Sequence, residues 1–389
     1  MNLWRSIKKN KLRFGCLVIL LFMCFLVAIF TLLFYIVRTN YVSTLLPSVF
    51  ESTILVSSPV EPDVKVLVGE SKTIQIPTGY FLNIAKLPSF IKYNDNSLVI
   101  SPEKFDDGDY VIEFTNGSSS IETTITVAYN DVDFDAMKRE LISYLNVNGL
   151  FDKYGIWIKD LGRNTVTGIN NSVIFPPASM AKMTMAILIL RDIDAGKYTL
   201  DTTYPIQDDV KFSTDDELGE LPAGTQVPIH TYLERLIEDS NNTAWYHMDK
   251  FLGGSYEAVN PRTVNELGVN PLFLNPHIGT AEMLGKLFDD LYNARTVSVK
   301  SRDYLINLME NALEWNRQGI GLGLPDGIQF ANKIGNLWTD NDINYCDSAI
   351  VYGKNTNYIM IVMDKDIDWD SGRDNLEGLS KIVYSFLDN

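Results

Sequence analysis

The 389-residue sequence predicts a large α+β domain, an antiparallel sheet flanked by helices, preceded by a membrane-spanning helix and a small all-β sandwich. Three observations carry that prediction. An uncharged apolar stretch runs from Phe14 to Val37 behind a cluster of basic residues. Period-two alternation dominates "DYVIEFTNGSSSIETTITV", residues 109–127. From Asp131 onward, strand-like runs at both ends enclose a series of helical ones.

The composition is that of a folded protein, 46% hydrophobic, 11% aromatic and 21% charged. A chain of this length exceeds one ordinary core and fits two domains with an anchor. Its net charge of −16 argues against a nucleic-acid partner, because phosphate backbones are gripped by clustered Lys and Arg.

Residues 1–13 form a basic tail with Arg5, Lys8, Lys9, Lys11 and Arg13, expected in the cytoplasm. Residues 14–37 are long enough to cross a bilayer. A cleavable leader has an apolar region of roughly 7–15 residues and a small-residue cleavage site, which "TLLFYIVRTN" lacks. The segment therefore reads as an uncleaved signal anchor, a single pass through the cell membrane with everything after Arg38 outside. No polar face appears on any helical period, which argues against a buried core helix. Cys16 and Cys24 fall inside this segment, so Cys346 alone lies outside and no disulfide can form within the exported part.

Residues 38–60, with Ser57, Ser58 and Pro59, read as a linker. Within residues 61–130, Tyr110, Ile112 and Phe114 alternate with Val111, Glu113 and Thr115, and Ile121, Ile125 and Val127 alternate with Glu122, Thr124 and Thr126. Asn116-Gly117 marks the turn between them. Shorter runs at Val64–Val68, Thr73–Ile76 and Leu98–Ile100 complete an all-β module. Through "LPSFIKYNDNSLVISP" and "GDYVIEF" it resembles bacterial immunoglobulin-like or cadherin-like domains, which implies a stalk or spacer.

Within residues 131–389, Asp135–Leu145 reads as a helix and "YGIWIKDL" as a strand. Ser179–Ala195 reads as a helix closed by Gly196. Residues 231–251 read as two helices broken at Asp239–Asn242, and residues 279–293 as another. "CDSAIVYG" and "YIMIVMDKD" are strand-like, and a last helix is expected from Asn375 to Leu387. Strands from both ends of the domain would share one antiparallel sheet.

The chemistry gathers at "FPPASMAKMTMAILIL", residues 175–190. Ser179 and Lys182 are one helical turn apart and share a face. The Ser-x-x-Lys pattern also occurs at Ser6, Ser89 and Ser101, where no role is assigned. Ser179 differs in its setting, because Pro176-Pro177 break the chain before it and a helix follows. A serine there has its own N–H free for a developing oxyanion, and Lys182 among Met180, Met183 and Ala186 loses stability as an ammonium. Taken alone, the pair reads better as a helix cap and a solvated lysine than as a catalytic pair.

Two downstream stretches join it. "LIEDSNNTAW" places Ser240-Asn241-Asn242 in a break between helices, and "FANKIGNLW" places Lys333-Ile334-Gly335 at the start of a strand. A serine–lysine acyl-transfer site needs a second hydroxyl to pass a proton to the leaving nitrogen and a cation to hold a substrate carboxylate. Ser240 and Lys333 supply both, Asn242 can bond the substrate amide and Lys182, and Gly335 leaves room for substrate against the strand edge. The order and spacing of the three together are hard to reach by accident.

With those residues the chain resembles the class A β-lactamase-like branch of the penicillin-recognising serine enzymes, over about residues 136–389. The likeness includes "YGIWIKDLGRNTVTGINNSVIFPPASMAK", "LPAGTQVPIHTYLERLIEDSNNTAWYHMDKFLGG" and "NYCDSAIVYG". It implies a β-lactamase/DD-peptidase-like fold, Ser179 as acylated nucleophile, Lys182 as its proton acceptor, Ser240 as proton shuttle and Lys333 as carboxylate anchor. The oxyanion hole would be the N–H groups of Ser179 and Asn336. The expected substrate is a β-lactam or a peptidoglycan stem peptide, with no metal and no other cofactor.

Three departures qualify the resemblance. The family's Ω-loop motif Glu-x-x-Leu-Asn, whose glutamate activates the deacylating water, is absent from "SYEAVNPRTVNELGVNPLFLNPHI". Glu257, Glu266 and Glu282 are weak replacements. Acylation is therefore expected to outrun deacylation. Ile334 stands where the family has Thr or Ser, and Asn241 where it has Asp. His230, His247 and His277 have no metal-ligand spacing and receive no role. Alternatives to a β-lactam hydrolase are a DD-peptidase-like cell-wall hydrolase and a non-catalytic binding module; the sequence does not fix the oligomeric state.

Overall fold

The structure, a computed structural model, describes residues 61–212, 216–254, 256–269, 277–338 and 343–388. The basic tail, the anchor at residues 14–37 and the linker lie outside the described residues. Among the described residues no helix is long and apolar enough to cross a membrane.

The N-terminal module has seven strands: β1 (Asp63–Leu67), β2 (Lys72–Gln75), β3 (Phe81–Leu82), β4 (Ile91–Asn94), β5 (Ser97–Ile100), β6 (Gly108–Thr115) and β7 (Ser120–Ala128). They form two sheets, ordered β1-β7-β6-β3 and β2-β5-β4, with β1 parallel to β7. The period-two pattern puts Ile112, Phe114, Ile125 and Val127 inside with Val64, Ile74, Leu98 and Ile100. The β6–β7 turn is held by Asn116, whose Oδ1 accepts from the N–H groups of Ser118 at 2.9 Å and Ser119 at 2.8 Å. Strands β3 and β4 are too short or too mixed to show in the sequence.

The larger part begins with α1 (Phe134–Val147), β8 (Tyr154–Asp160) and β9 (Thr165–Ile169). A 3₁₀ turn at Ala178–Ala181 leads into α2 (Lys182–Asp194), followed by a short hairpin of β10 (Thr203–Pro205) and β11 (Gln226–Pro228). Helices α3 (Ile229–Ile237), α4 (Asn242–Leu252), α5 (Tyr256–Leu267), α6 (Ala281–Tyr292) and α7 (Val299–Glu310) follow. The chain closes with β12 (Gln329–Trp338), β13 (Ile343–Tyr352), β14 (Asn357–Asp364) and α8 (Trp369–Leu387).

One antiparallel sheet, ordered β12-β13-β14-β8-β9, divides two apolar layers. On one face Met137, Leu141 and Leu145 of α1 and Leu376, Leu379 and Val383 of α8 pack against Ile156, Ile158, Ile334 and Met360. On the other face lies α2, whose residues Met183–Leu190 are all buried. A helix apolar around its whole girth belongs at the centre of a domain, with other helices covering it. Alternation along β12 sends Ile334 into the first layer and leaves Lys333 and Gly335 facing the turn that carries Ser179.

Four features differ from the sequence reading. The helix expected from Ser179 begins as a 3₁₀ turn, and the α-helix proper starts at Lys182. Lys333 sits in the middle of its strand, not at its start. The last helix begins at Trp369 because Asp368 caps it, accepting from Ser371 N–H at 3.0 Å, while the polar run after it hides the period. Helix α7, with Leu305, Leu308 and Met309 buried in a mostly polar sequence, has no counterpart in the sequence reading.

The module rests on the larger part through defined contacts. Lys104 donates to Gly353 O at 2.6 Å and to Asn357 Oδ1 at 2.9 Å, and the Arg163 guanidinium stands 5.2 Å from the Tyr129 ring centre.

Candidate active site

The site forms where the turn before α2, the break between α3 and α4, and the edge strand β12 meet. The turn is held from several sides. Phe175 pairs with Gly279 through two backbone bonds of 2.8 and 2.9 Å, and Asn344 Nδ2 donates to Pro176 O at 2.8 Å. Ala178 adopts a left-handed φ of 48°, an uncommon conformation for a residue with a Cβ. Strain of this kind persists only where surrounding structure over-determines it.

Lys182 is 2% exposed, and its Nζ touches four groups. They are Ser179 Oγ at 3.0 Å, Ser240 Oγ at 3.1 Å, Asn242 Oδ1 at 2.8 Å and the Ser240 carbonyl. Burial, and secondarily the Lys333 cation, hold its pKa well below the usual lysine range. A neutral amine has two N–H donors and one lone pair. In that form the Ser240 carbonyl and Asn242 Oδ1 would accept the two N–H bonds and leave the lone pair for a hydroxyl.

Ser240 also has a left-handed φ, 58°. Its Oγ lies between two amines, because Lys333 Nζ donates to it at 2.8 Å. Lys333 is 1% exposed and also donates to Ile334 O at 3.1 Å. Burial pulls its pKa down to about 7, and the nearby Asp347 carboxylate limits the fall. Asp347 is itself pushed up to about 6 by burial, although the N–H groups of Asn332, Ile320 and Ser348 donate to it. Ser179, Lys182, Ser240 and Lys333 thus form one continuous hydrogen-bonded chain, with Asn242 at its side.

Gly335 has a structural reason of its own. A Cβ there would meet Pro177 O at 2.6 Å and Met180 N at 3.1 Å, so the missing side chain makes room for the turn that carries Ser179. Asn336, next along the same edge strand, lies opposite Tyr345. Among the described residues no group of three or more His, Cys, Asp or Glu is placed to hold a metal ion.

A family-wide comparison decides what kind of protein carries this arrangement: the profile described as the Beta-lactamase enzyme family matches residues 138–387, well over half of the chain. The chain belongs to this family. A curated relative, the β-lactamase VEB-1 of Pseudomonas aeruginosa, is 23% identical over 236 residues, covering 56% of this chain and 77% of that protein. Among solved structures, PBP-A is 19% identical with a TM-score of 0.57, covering 65% of this chain and 96% of its own. A point mutant of PBP-A, solved as an acyl-enzyme complex with penicillin G, matches equally well. The TLA-3 extended-spectrum β-lactamase is 20% identical with a TM-score of 0.57, covering 66% of this chain and 99% of its own. The larger domain thus has the α+β β-lactamase fold, and the protein is a β-lactamase-family serine hydrolase.

Within this β-lactamase-family domain the departures acquire local causes. Asn241 caps α4, its Oδ1 accepting from Ala244 N–H at 2.7 Å, a task that Asn performs as well as Asp. Ile334 is buried among Phe330, Ile320 and Tyr345, so an apolar residue suits the position. Two of the three carboxylates considered as water activators are engaged elsewhere. Glu266 pairs with Arg262 at 2.7 Å and with Arg191 at 3.1 Å; Arg191 lies nine residues beyond Lys182 along α2, about 13 Å away. Glu282 pairs with Lys286 at 2.6 Å and accepts from Asn171 Nδ2 at 3.2 Å. The Glu257 side chain lies outside the described residues. Among the described residues, the hydrogen-bond partners of Ser179 Oγ, Lys182 Nζ and Ser240 Oγ include no carboxylate.

Several residues near the site carry no signal in the sequence. Trp245 is buried with its ring centre 5.9 Å from Lys182 Nζ, and His277 meets the same indole edge-on at 6.0 Å. His277 Nε2 also lies 3.1 Å from Ala178 O. Exposed Phe212 stacks on Tyr246, and its N–H donates to Thr243 Oγ1 at 3.2 Å beside Asn242. The other two histidines are structural: His230 sits on Glu234, and His247 bridges Gln207 N–H and Thr243 O. None of these contacts follows from sequence spacing.

Proposed function

We propose that the protein forms an acyl-enzyme through Ser179 with β-lactams or D-Ala-D-Ala-like amides, and releases the acyl group slowly. The observation that carries this reading is the hydrogen-bonded chain from Ser179 Oγ through Lys182 Nζ and Ser240 Oγ to Lys333 Nζ.

Neutral Lys182 takes the Ser179 proton as Oγ attacks the carbonyl carbon. The oxyanion rests on the N–H groups of Ser179 and Asn336. The carbon–nitrogen bond breaks as Ser240 gives its proton to the leaving nitrogen and regains one from Lys182. Lys333, cationic when protonated, holds the substrate carboxylate, while Asn242 bonds the substrate amide. The product is an ester on Ser179. Its hydrolysis needs an activated water, and among the described residues no carboxylate is a hydrogen-bond partner of Ser179 Oγ, Lys182 Nζ or Ser240 Oγ.

The test follows intact mass and colour during incubation with penicillin G and a chromogenic cephalosporin. A lasting adduct, lost in Ser179→Ala, is expected. Rapid colour without an adduct would overturn slow release, and no adduct with either compound would favour a non-catalytic binding module.

We further propose that residues 14–37 anchor the chain once in the cell membrane with its N-terminus inside, and that the β module is an immunoglobulin-like or cadherin-like stalk. The basic cluster before the apolar run and the seven-strand module after it support this placement. A DD-peptidase-like action on cell-wall stem peptides is the second reading, favoured by that placement.

A further inference from the structure

We propose that His277 is a positioning residue of the oxyanion hole, orienting and strengthening the Ser179 N–H through a hydrogen bond to the Ala178 carbonyl. This inference rests on the reading of Ser179 as the acylated nucleophile.

The Ala178 carbonyl and the Ser179 N–H are the two ends of one planar peptide unit. A bond that fixes the direction of the carbonyl therefore fixes the direction of the N–H. His277 Nε2 stands 3.1 Å from Ala178 O. A carbonyl only accepts, so Nε2 carries the hydrogen, and the imidazole is held in that tautomer or charged. A carbonyl that accepts a hydrogen bond is more polarised, and the N–H across the same amide becomes a better donor. The Ser179 N–H is thereby strengthened where negative charge develops.

The backbone shows that this contact is maintained at a cost. Ala178 has φ 48° and His277 has φ 68°, so two non-glycine residues in the left-handed region face each other across one bond. The ring cannot swing freely either. Its edge-on packing on Trp245 has an interplanar angle of 65°, and Trp245 is 4% exposed. The same indole stands beside Lys182 Nζ, so base and peptide plane share one rigid support.

A space-filling histidine makes a different prediction from a donating one, and two substitutions separate them. His277→Phe keeps an aromatic ring on Trp245 and removes the donor. His277→Gln places a donor at a reach similar to Nε2. The full-length chain, labelled with ¹⁵N-serine and with the Ser179 amide assigned by its absence in Ser179→Ala, reports the peptide directly. Penicillin G acylation is timed by intact mass.

In His277→Phe the Ser179 ¹⁵N resonance is expected upfield of wild type. The limiting acylation rate is expected to fall about 10- to 100-fold, less than for outright loss of an oxyanion donor, at an unchanged half-saturating concentration. His277→Gln is expected to restore both. If His277→Phe does not fold, His277→Ala serves as the donor-less arm. An unmoved resonance, wild-type acylation without the donor, or failure of His277→Gln to recover would each overturn the proposal. If wild-type protein takes no acyl group while the resonance still moves and recovers, the acylation reading fails and the coupling of His277 to the peptide stands.

Discussion

Gly335→Ala tests how tightly strand β12 and the turn that carries Ser179 are matched. The added Cβ would sit 2.6 Å from Pro177 O, where ordinary contact begins near 3.4 Å, so strand and turn must part by about 0.8 Å. Met180 Cγ, 3.0 Å away, can move aside, but Pro177 O and Met180 N are the backbone that carries Ser179. Overpacking of this kind costs about 1–3 kcal/mol. For a domain of this size that lowers Tm by roughly 2–12 °C. The chemical cost is comparable in energy, about 2.7 kcal/mol, because about 1 Å of misplacement at a reacting group can cost about 100-fold in rate. Timed intact-mass measurements with penicillin G should therefore show acylation down about 100-fold in a protein that still melts cooperatively. Acylation within about threefold of wild type, alongside the expected fall in Tm, would refute the claim that this contact sets the position of Ser179.

Two further predictions concern charge and placement. Lys333 is cationic below its pKa of about 7 and neutral above it, so acylation efficiency for a carboxylate-bearing β-lactam should fall as pH rises through that value. Burial also holds the pKa of Lys182 down, but losing its proton makes it the better base, so its titration would raise acylation with pH and cannot cause the fall. A β-lactam ester without the carboxylate should lack this limb, and a limb of equal depth would assign the titration to another group. For placement, protease added to intact cells should release the domain, and full protection of residues 131–389 would refute an outward-facing anchor.

What the sequence could reveal followed the range of the interaction. Ser179 and Lys182 are visible as a pair because one helical turn separates them, and the structure holds them 3.0 Å apart. The break at Ser240-Asn241-Asn242 is visible because turn chemistry is local, and Asn241 caps the next helix. The alternating runs of the module likewise mark its longer strands. Burial was less legible. Lys333, which could pass for an exposed strand lysine, lies under the site because the helical layer covers that face of β12. The causes of Gly335, Trp245 and His277 are tertiary, since the groups they meet come from distant parts of the chain. Helix α7 was hidden by its polar composition, and the first turns of α8 by the same effect together with Gly372, whose added Cβ would lie 2.4 Å from the Tyr345 Cβ.

The order of strands in the main sheet has a consequence for when the site comes into being. Strand β8 finds its long partner in β14, with Ile158 opposite Met360, and β12 joins only through β13. Pairings of such large sequence separation form late and slowly, because the closure of a long loop must precede the contacts that reward it. Until β12 to β14 are in place, Gly335 and Asn344 cannot clasp the turn around Ala178, and Lys333 cannot reach Ser240. On the acyl-enzyme reading, Ser179 is therefore inert in the nascent chain and gains its chemistry only in the closing steps of folding.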